Sequence, residues 1–193
     1  MPHIYLDPGH QPVIDPGACY QVLQEASLTR LIAVWCANFL AANGVMNVSI
    51  VPDLKAKNGR DLLIKKIQWV NKITSKYDIL VSIHVNASPT PITASGIEIW
   101  GYKGLPNKKF YQALLDSMLK ETGLRNRGIK DETTNRHGRL GIIHDTKPEI
   151  CCLIECGFIN GFPDYNLLKN NPQSFALGIA NGLVQFLKKP VSY

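Results

Sequence analysis

Residues 78–85 read Asp78-Ile79-Leu80-Val81-Ser82-Ile83-His84-Val85, an almost unbroken apolar run. A strand with one face in water alternates apolar and polar residues. A short run that is apolar at nearly every position fits a strand covered on both faces, as in α/β sheets whose crossovers are helices. The flanking sequence supplies those helices. Upstream, Leu62, Leu63, Ile67, Val70 and Ile73 fall on one helical face, after a polar loop at 57–60. Before that loop, Val48 to Val51 reads as a strand stopped by Pro52, and from Glu25 to about Leu40 the apolar positions Leu28, Leu31, Ile32, Trp35 and Phe39 form a second helix closed by Asn43-Gly44. Ile4 to Leu6 is a first strand, ended by Asp7-Pro8-Gly9.

Downstream, Ile97, Ile99 and Gly101-Tyr102 suggest a neighbouring strand, and a helix runs from about Asn107 to Glu121, ending at Gly123. Leu140 to Ile143 and Ile150 to Glu155 read as two more strands, and 163–188 as helix with a break at Asn171-Pro172. This alternation predicts an α/β fold. It would be a single domain with an about six-stranded, mostly parallel (mixed) twisted sheet and helices on both faces.

The composition agrees. The chain has 193 residues, 45% hydrophobic and 19% charged, enough to bury a core without disulfides or structural metal. Five cysteines are an odd number, and Cys151, Cys152 and Cys156 crowd one apolar segment without zinc-ribbon or CxxC spacing, so they are expected to be reduced, buried, small hydrophobes. No basic, apolar leader opens the sequence, and no apolar run reaches the roughly 20 residues of a membrane span. The expectation is a protein made in the cytoplasm without a signal peptide or stable membrane insertion, and monomeric. A net charge of +6 favours polyanionic partners. Nucleic acid is not expected among them, because no recognition motif or basic stripe interleaved with aromatics accompanies the charge.

In open α/β sheets, ligands bind beyond the carboxyl ends of the strands. His10 follows the first strand, His84 lies near the end of 78–85, and Glu155 closes Ile150-Cys151-Cys152-Leu153-Ile154. Glu25, opening the first long helix, returns to the same edge if the crossover is right-handed. Two histidines and one or two carboxylates at one edge can form a catalytic zinc site, with three protein ligands and one open position. Structural readings stand beside this one: a hydrogen-bonded core histidine, or a glutamate favouring its helix dipole.

Taken together, Ile4-Tyr-Leu-Asp-Pro-Gly-His10, Asp15-Pro-Gly-Ala18, Glu25, Ser82-Ile-His84-Val-Asn86-Ala and Leu153-Ile-Glu155-Cys-Gly-Phe158-Ile resemble the zinc N-acetylmuramoyl-L-alanine amidases. The likeness is to the LytC/AmiC type of bacterial autolysins and phage endolysins. Gly96-Ile-Glu-Ile-Trp100 and Arg127-Gly128-Ile-Lys130 also resemble family landmarks. The resemblance implies that residues 1–193 form one amidase catalytic domain, that His10, Glu25 and His84 bind Zn2+, and that Glu155 is the catalytic carboxylate. Its substrate would be peptidoglycan, cut at the amide between the lactyl group of N-acetylmuramic acid and L-alanine of the stem peptide. Glu155 is then expected to move the proton from the attacking water to the alanine nitrogen.

Asn86, Ser88, Arg127 and Arg139 are expected to line the cleft, with turn formation and a solvated basic face as their structural alternatives. His137 and His144 are further candidates for contact with glycan or peptide. Three departures from the family pattern stand out, one of them that Asn160-Gly161-Phe162-Pro163 comes after Phe158 in place of the usual Ser-Asn. Gln11-Pro12-Val13-Ile14 replaces the common Gly-Gly after the first ligand, giving a longer and stiffer loop, and His144 stands where an Arg often precedes the last strand. A zinc peptidase or deacylase on another amide, and a non-catalytic wall-binding module of the same fold, are the alternatives. If peptidoglycan is the substrate, the missing leader suits a phage-type lysin that reaches the wall after holin-type or lysis-dependent release.

Overall fold

The structure is a computed structural model and describes residues 2–89, 93–136 and 138–188. In chain order the elements are β1 (Ile4–Pro8), β2 (Cys19–Tyr20), β3 (Leu23–Gln24), α1 (Glu25–Ala42), β4 (Val48–Ile50), α2 (Gly59–Ile73), β5 (Ile79–Asn86) and β6 (Ile97–Gly101). They continue with α3 (Lys108–Thr122), β7 (Asn126–Asp131), α4 (Gly141–His144), β8 (Ile150–Phe158), α5 (Asp164–Asn170) and α6 (Gln173–Lys188).

Six strands form one sheet in the order β4-β1-β5-β8-β6-β7. Strands β4, β1, β5 and β8 are mutually parallel, whereas β6 pairs antiparallel with β8 and parallel with β7. The stretch 78–85 thus lies in the middle of the sheet, where apolar residues are needed on both faces. Period-two alternation sorts them. Ile79, Val81 and Ile83 join Ile4, Leu6, Cys152, Ile154 and Cys156 in a core closed by α1, α3 and α6, whereas Leu80, Tyr5, Cys151, Leu153 and Trp100 pack with Val70 of α2 and Ile142 and Ile143 of α4. Helices therefore cover both faces. None of the described helices is long and apolar enough to cross a membrane.

Four of the five cysteines are buried as expected: Cys36, Cys151, Cys152 and Cys156 are free and buried, whereas Cys19 is free and exposed. Burial holds the Cys151 thiol at about 12, and pushes Cys152 and Cys156 well above the usual thiol range.

Two sequence expectations need correction. Leu140 to Ile143 is not a strand: it enters the single helical turn α4, where the Ile143 and His144 amides both donate to the Leu140 carbonyl at 2.9 Å. Ile142 and Ile143 bury themselves by capping the sheet face, so adjacent apolar residues here satisfy a turn that packs from above. The sixth strand is instead β7, Asn-Arg-Gly-Ile-Lys-Asp, a half-exposed edge whose composition carries no alternation. The two-residue pair β2–β3 was likewise invisible to periodicity.

Candidate metal centre and its cleft

At the carboxyl end of β1 the chain turns sharply through Pro8-Gly9-His10. The Gly9 amide donates to Ile83 O at 2.7 Å, extending the β1–β5 ladder by one bond. His10 then adopts φ +63°, a left-handed conformation that non-glycine residues seldom occupy. The loop folds back so that Gln11 and Asp15 exchange backbone hydrogen bonds of 2.9 Å. Asp15 Oδ2 lies 2.9 Å from His10 Nδ1, which leaves Nε2 as the ring's candidate ligand atom.

Glu25 is the first residue of α1, and both its carboxylate oxygens are placed by backbone. Oε2 accepts from the Ala18 amide at 2.8 Å and Oε1 from the Val85 amide at 3.0 Å. His10 Nε2 lies 3.3 Å from Oε2, and His84 Nδ1 lies 3.1 Å from Oε1. One ligand atom from each of His10, Glu25 and His84 lies within 4.8 Å of the others. Donors about 2.1 Å from a tetrahedral zinc stand about 3.4 Å apart, a spacing that the 3.1 and 3.3 Å contacts to Glu25 approach and toward which a pair up to 4.8 Å apart would close. Glycines make the room. A Cβ at Gly9 would meet three His84 ring atoms at 2.6–2.7 Å, and one at Gly17 (φ +67°) would meet Glu25 Oε2 at 2.6 Å and His10 Cδ2 at 2.7 Å.

The three groups are coupled electrostatically. Burial pushes the Glu25 carboxyl up, but the hydrogen bond and charge of His84, the charge of His10 and the Val85 amide outweigh it, and it lies below the usual range. Burial pushes His84 down, but the bond and charge of Glu25 outweigh that and raise it.

Glu155 arrives by register. On β5 and β8 it is the direct partner of His84, and across β6 it is the partner of Glu98. Its Oε2 is buried with no hydrogen-bond partner among the described residues. Burial, with Glu25 and Glu98 adding to it against His84 and Lys130, pushes this carboxyl up to about 8. Native structures rarely leave a buried carboxylate oxygen unpartnered without a use for it.

These residues line a cleft of about 700 Å3, which Asn86, Glu98, Trp100, Asn135, Arg136 and Leu140 also enclose. Of the expected substrate contacts, Asn86 is in this lining. Its amide donates to Glu98 Oε1 at 3.3 Å. The other four lie outside it. Ser88 exchanges backbone hydrogen bonds of 3.0 and 2.7 Å with the Asn160 side chain. Arg127 donates from Nε to Glu98 Oε2 at 2.8 Å and covers the Phe158 ring. Arg139 lies 3.1 Å from Asp145 on the surface. His144 stacks on Tyr102, bonds the fully buried Glu132 at 2.8 Å, and lines a separate cleft of about 400 Å3. His137 lies outside the described residues.

Two residues important to this geometry carried no prediction of their own. Asp15, which orients His10, was visible only as part of Asp15-Pro-Gly. Glu98, 3% exposed, gathers Asn86, Trp100, Arg127 and Lys130. The signal that singled out Glu155, a carboxylate in an apolar strand, is equally present in Ile97-Glu98-Ile99-Trp100.

Comparison with known proteins bears on the whole of this arrangement. No curated protein sequence matches the chain. Among solved structures it is similar to an N-acetylmuramoyl-L-alanine amidase from Clostridium difficile 630, at 24% identity over 98% of each chain with a TM-score of 0.78. It is also similar to Cwp6 from Clostridium difficile, at 27% identity and a TM-score of 0.78, over 97% of this chain but 29% of that one. A third likeness is to the catalytic domain of the CD27L endolysin targeting Clostridia difficile, at 26% identity over 96% of this chain and 98% of that one, with a TM-score of 0.72. Residues 4–185 match the family described as N-acetylmuramoyl-L-alanine amidase, and the chain belongs to that family.

Proposed function

We propose that this chain is a zinc-dependent peptidoglycan amidase in which His10, Glu25 and His84 hold the metal and Glu155 moves the proton. The observation that carries the reading is the convergence of three candidate ligand atoms within 4.8 Å beside a buried carboxylate with an oxygen unpartnered among the described residues. Zinc bound there would supply Lewis acidity toward the amide carbonyl and make water acidic enough to lose a proton near neutral pH.

The chain's own groups do the rest. Glu155 Oε2 is free to accept a proton from the attacking water, whose oxygen bonds to the carbonyl carbon. When the C–N bond breaks, the same carboxyl returns that proton to the alanine nitrogen, which leaves as an amine. Burial raises this carboxyl and a dication bound beside it would lower it again, so that it could be ionised to accept the proton and still return it. Asp15 keeps the His10 ring turned so that Nε2 faces the metal position. The likeness to an endolysin catalytic domain and the +6 charge, suited to a polyanionic envelope, support a lytic role reached by release through a permeabilised membrane.

The test is zymography on purified cell wall, with and without a zinc chelator, then with zinc restored. Clearing should vanish on chelation and return with zinc, and digests should gain N-terminal alanine without new reducing ends. Clearing that survives full metal removal, or new reducing ends in place of N-terminal alanine, overturns the reading.

A further inference from the structure

Helix α2 contributes no candidate ligand, yet it sends one charged side chain beneath the metal centre. Lys66 shares the buried stripe of α2 with Leu62 and Val70, and its side chain is 6% exposed. Burying an ammonium is expensive unless its protons find acceptors. Here two carbonyls accept from it, that of Pro8 and that of His10 at 3.3 Å, and Asp7 Oδ1 stands 2.9 Å away as its ion-pair partner, outside hydrogen-bonding geometry. The carbonyl between those two, on Gly9, accepts from Thr29 Oγ1 at 2.7 Å, and the second oxygen of Asp7 accepts from Ser82 Oγ at 2.7 Å.

Three successive carbonyls of the turn that carries His10 are therefore gripped from outside the turn. The grip comes from elements that already carry ligands, with one exception. Thr29 stands one turn beyond Glu25 on α1, and Ser82 two residues before His84 on the same face of β5; Lys66 is the sole contribution of α2. The turn gains from being held, because His10 sits at φ +63°, a backbone conformation that a non-glycine residue adopts only at some cost. We propose that Lys66 is a positioning residue of the metal centre. By clamping the Pro8 and His10 carbonyls it fixes the direction of His10 Nε2, and so sets zinc affinity. This rests on the zinc reading above.

The experiment measures zinc affinity of the full chain by competition with a chromophoric chelator, alongside circular dichroism and melting of the metal-free protein. Lys66→Met strands Asp7 as a buried unpaired charge, so the informative variant is Asp7→Asn/Lys66→Met, which removes both charges at similar volume. A folded double variant should bind zinc 10–100-fold more weakly, the range expected when an outer partner of a metal ligand is lost. Lys66→Arg, which can still donate to both carbonyls, should recover part of that loss, and Thr29→Val should show a smaller one. Cobalt(II) loaded in place of zinc should show an altered visible spectrum in the double variant, a change that lower stability alone does not produce. A folded double variant with wild-type affinity and spectrum overturns the clamp while leaving the zinc reading standing. Wild-type protein that binds no zinc overturns both.

Discussion

A single methyl group added at Gly9 should disable the metal centre while sparing the fold. The ideal Cβ position at Gly9 lies 2.6 Å from His84 Cε1 and Nδ1 and 2.7 Å from Nε2, so the imidazole lies flat against this glycine. Ordinary contact begins near 3.4 Å, and 3.4 − 2.6 requires the ring to retreat by about 0.8 Å. Gly9 is not among the positive-φ residues, so alanine can adopt its backbone, and the Gly9 amide bond to Ile83 is retained. His84 Nδ1 begins 3.1 Å from Glu25 Oε1, and a retreat of that size removes it from the shared metal position. Loss of alignment by about 1 Å can cost about 100-fold in rate, and the forced packing costs about 1–3 kcal/mol in stability. Gly9→Ala is therefore expected to melt as a cooperative, folded protein with strongly reduced zinc affinity and muropeptide hydrolysis. Gly141→Ala, where the nearest neighbour of the new Cβ is 3.4 Å away, should keep wild-type zinc affinity. Wild-type affinity and turnover in Gly9→Ala would refute the claim that this glycine makes room for the ligand.

Other perturbations separate chemistry from architecture. Glu155→Gln should retain stoichiometric zinc by elemental analysis yet lose turnover by about 10²–10⁴-fold, and near-wild-type hydrolysis by the loaded variant would remove Glu155 from the proton path. Burial pushes the Glu98 carboxyl up, but its bonds to Lys130 and Arg127 outweigh that and hold it below the usual range. It is therefore ionised in the folded state, and its contribution is complete above the unfolded value near pH 4.3 and lost as pH falls through the lower folded value. Glu98→Gln should cost about 2 kcal/mol in urea unfolding at pH 7, with the gap closing below about pH 4; a gap independent of pH would contradict the ion-pair account. Val13, 97% exposed with φ +75°, holds a β-branched residue where left-handed backbone costs about 1–2 kcal/mol, so Val13→Asn should raise unfolding stability by about 1 kcal/mol. No gain would mean that the loop relaxes the strain elsewhere.

The fold was legible where periodicity and burial coincide. The apolar stretch at 78–85 announced a central strand because both its faces are packed, and the stripes in 25–40 and 62–73 announced the helices that cover those faces, although Leu31, Leu63 and Ile73 of those stripes are exposed. The failures came where structure depends on partners distant in sequence. Leu140 to Ile143 offered adjacent apolar residues, which a strand and a capping turn use equally well. The choice is made by Glu132, whose Oε2 takes the Leu140 amide at 3.0 Å and whose Oε1 meets His144 at the other end of the turn. Nothing local to 140–143 encodes that carboxylate. β7 failed for the converse reason: an edge strand held by the backbone of β6 needs no alternation of its own.

The metal centre divides in the same way. Its candidate ligands could be singled out in the sequence because each stands near an element boundary, where a charged or imidazole side chain is conspicuous: the end of β1, the start of α1, the end of β5. The residues that aim them stand inside elements or loops and look ordinary. Asp15 reads as a turn former, Thr29 as a helix residue and Lys66 as a solvated lysine. Lys66 shows the difference most sharply, since its spacing from Leu62 and Val70 places it on the buried stripe of α2, where an unpaired charge would be costly. A lysine whose ammonium is buried at such a position needs acceptors, and a helix packed against strand ends offers few except exposed turn carbonyls. Spacing alone would still allow Lys66 to lay its stem along the stripe and carry its ammonium out to water, and only the fold reveals that it meets the turn carrying His10 instead.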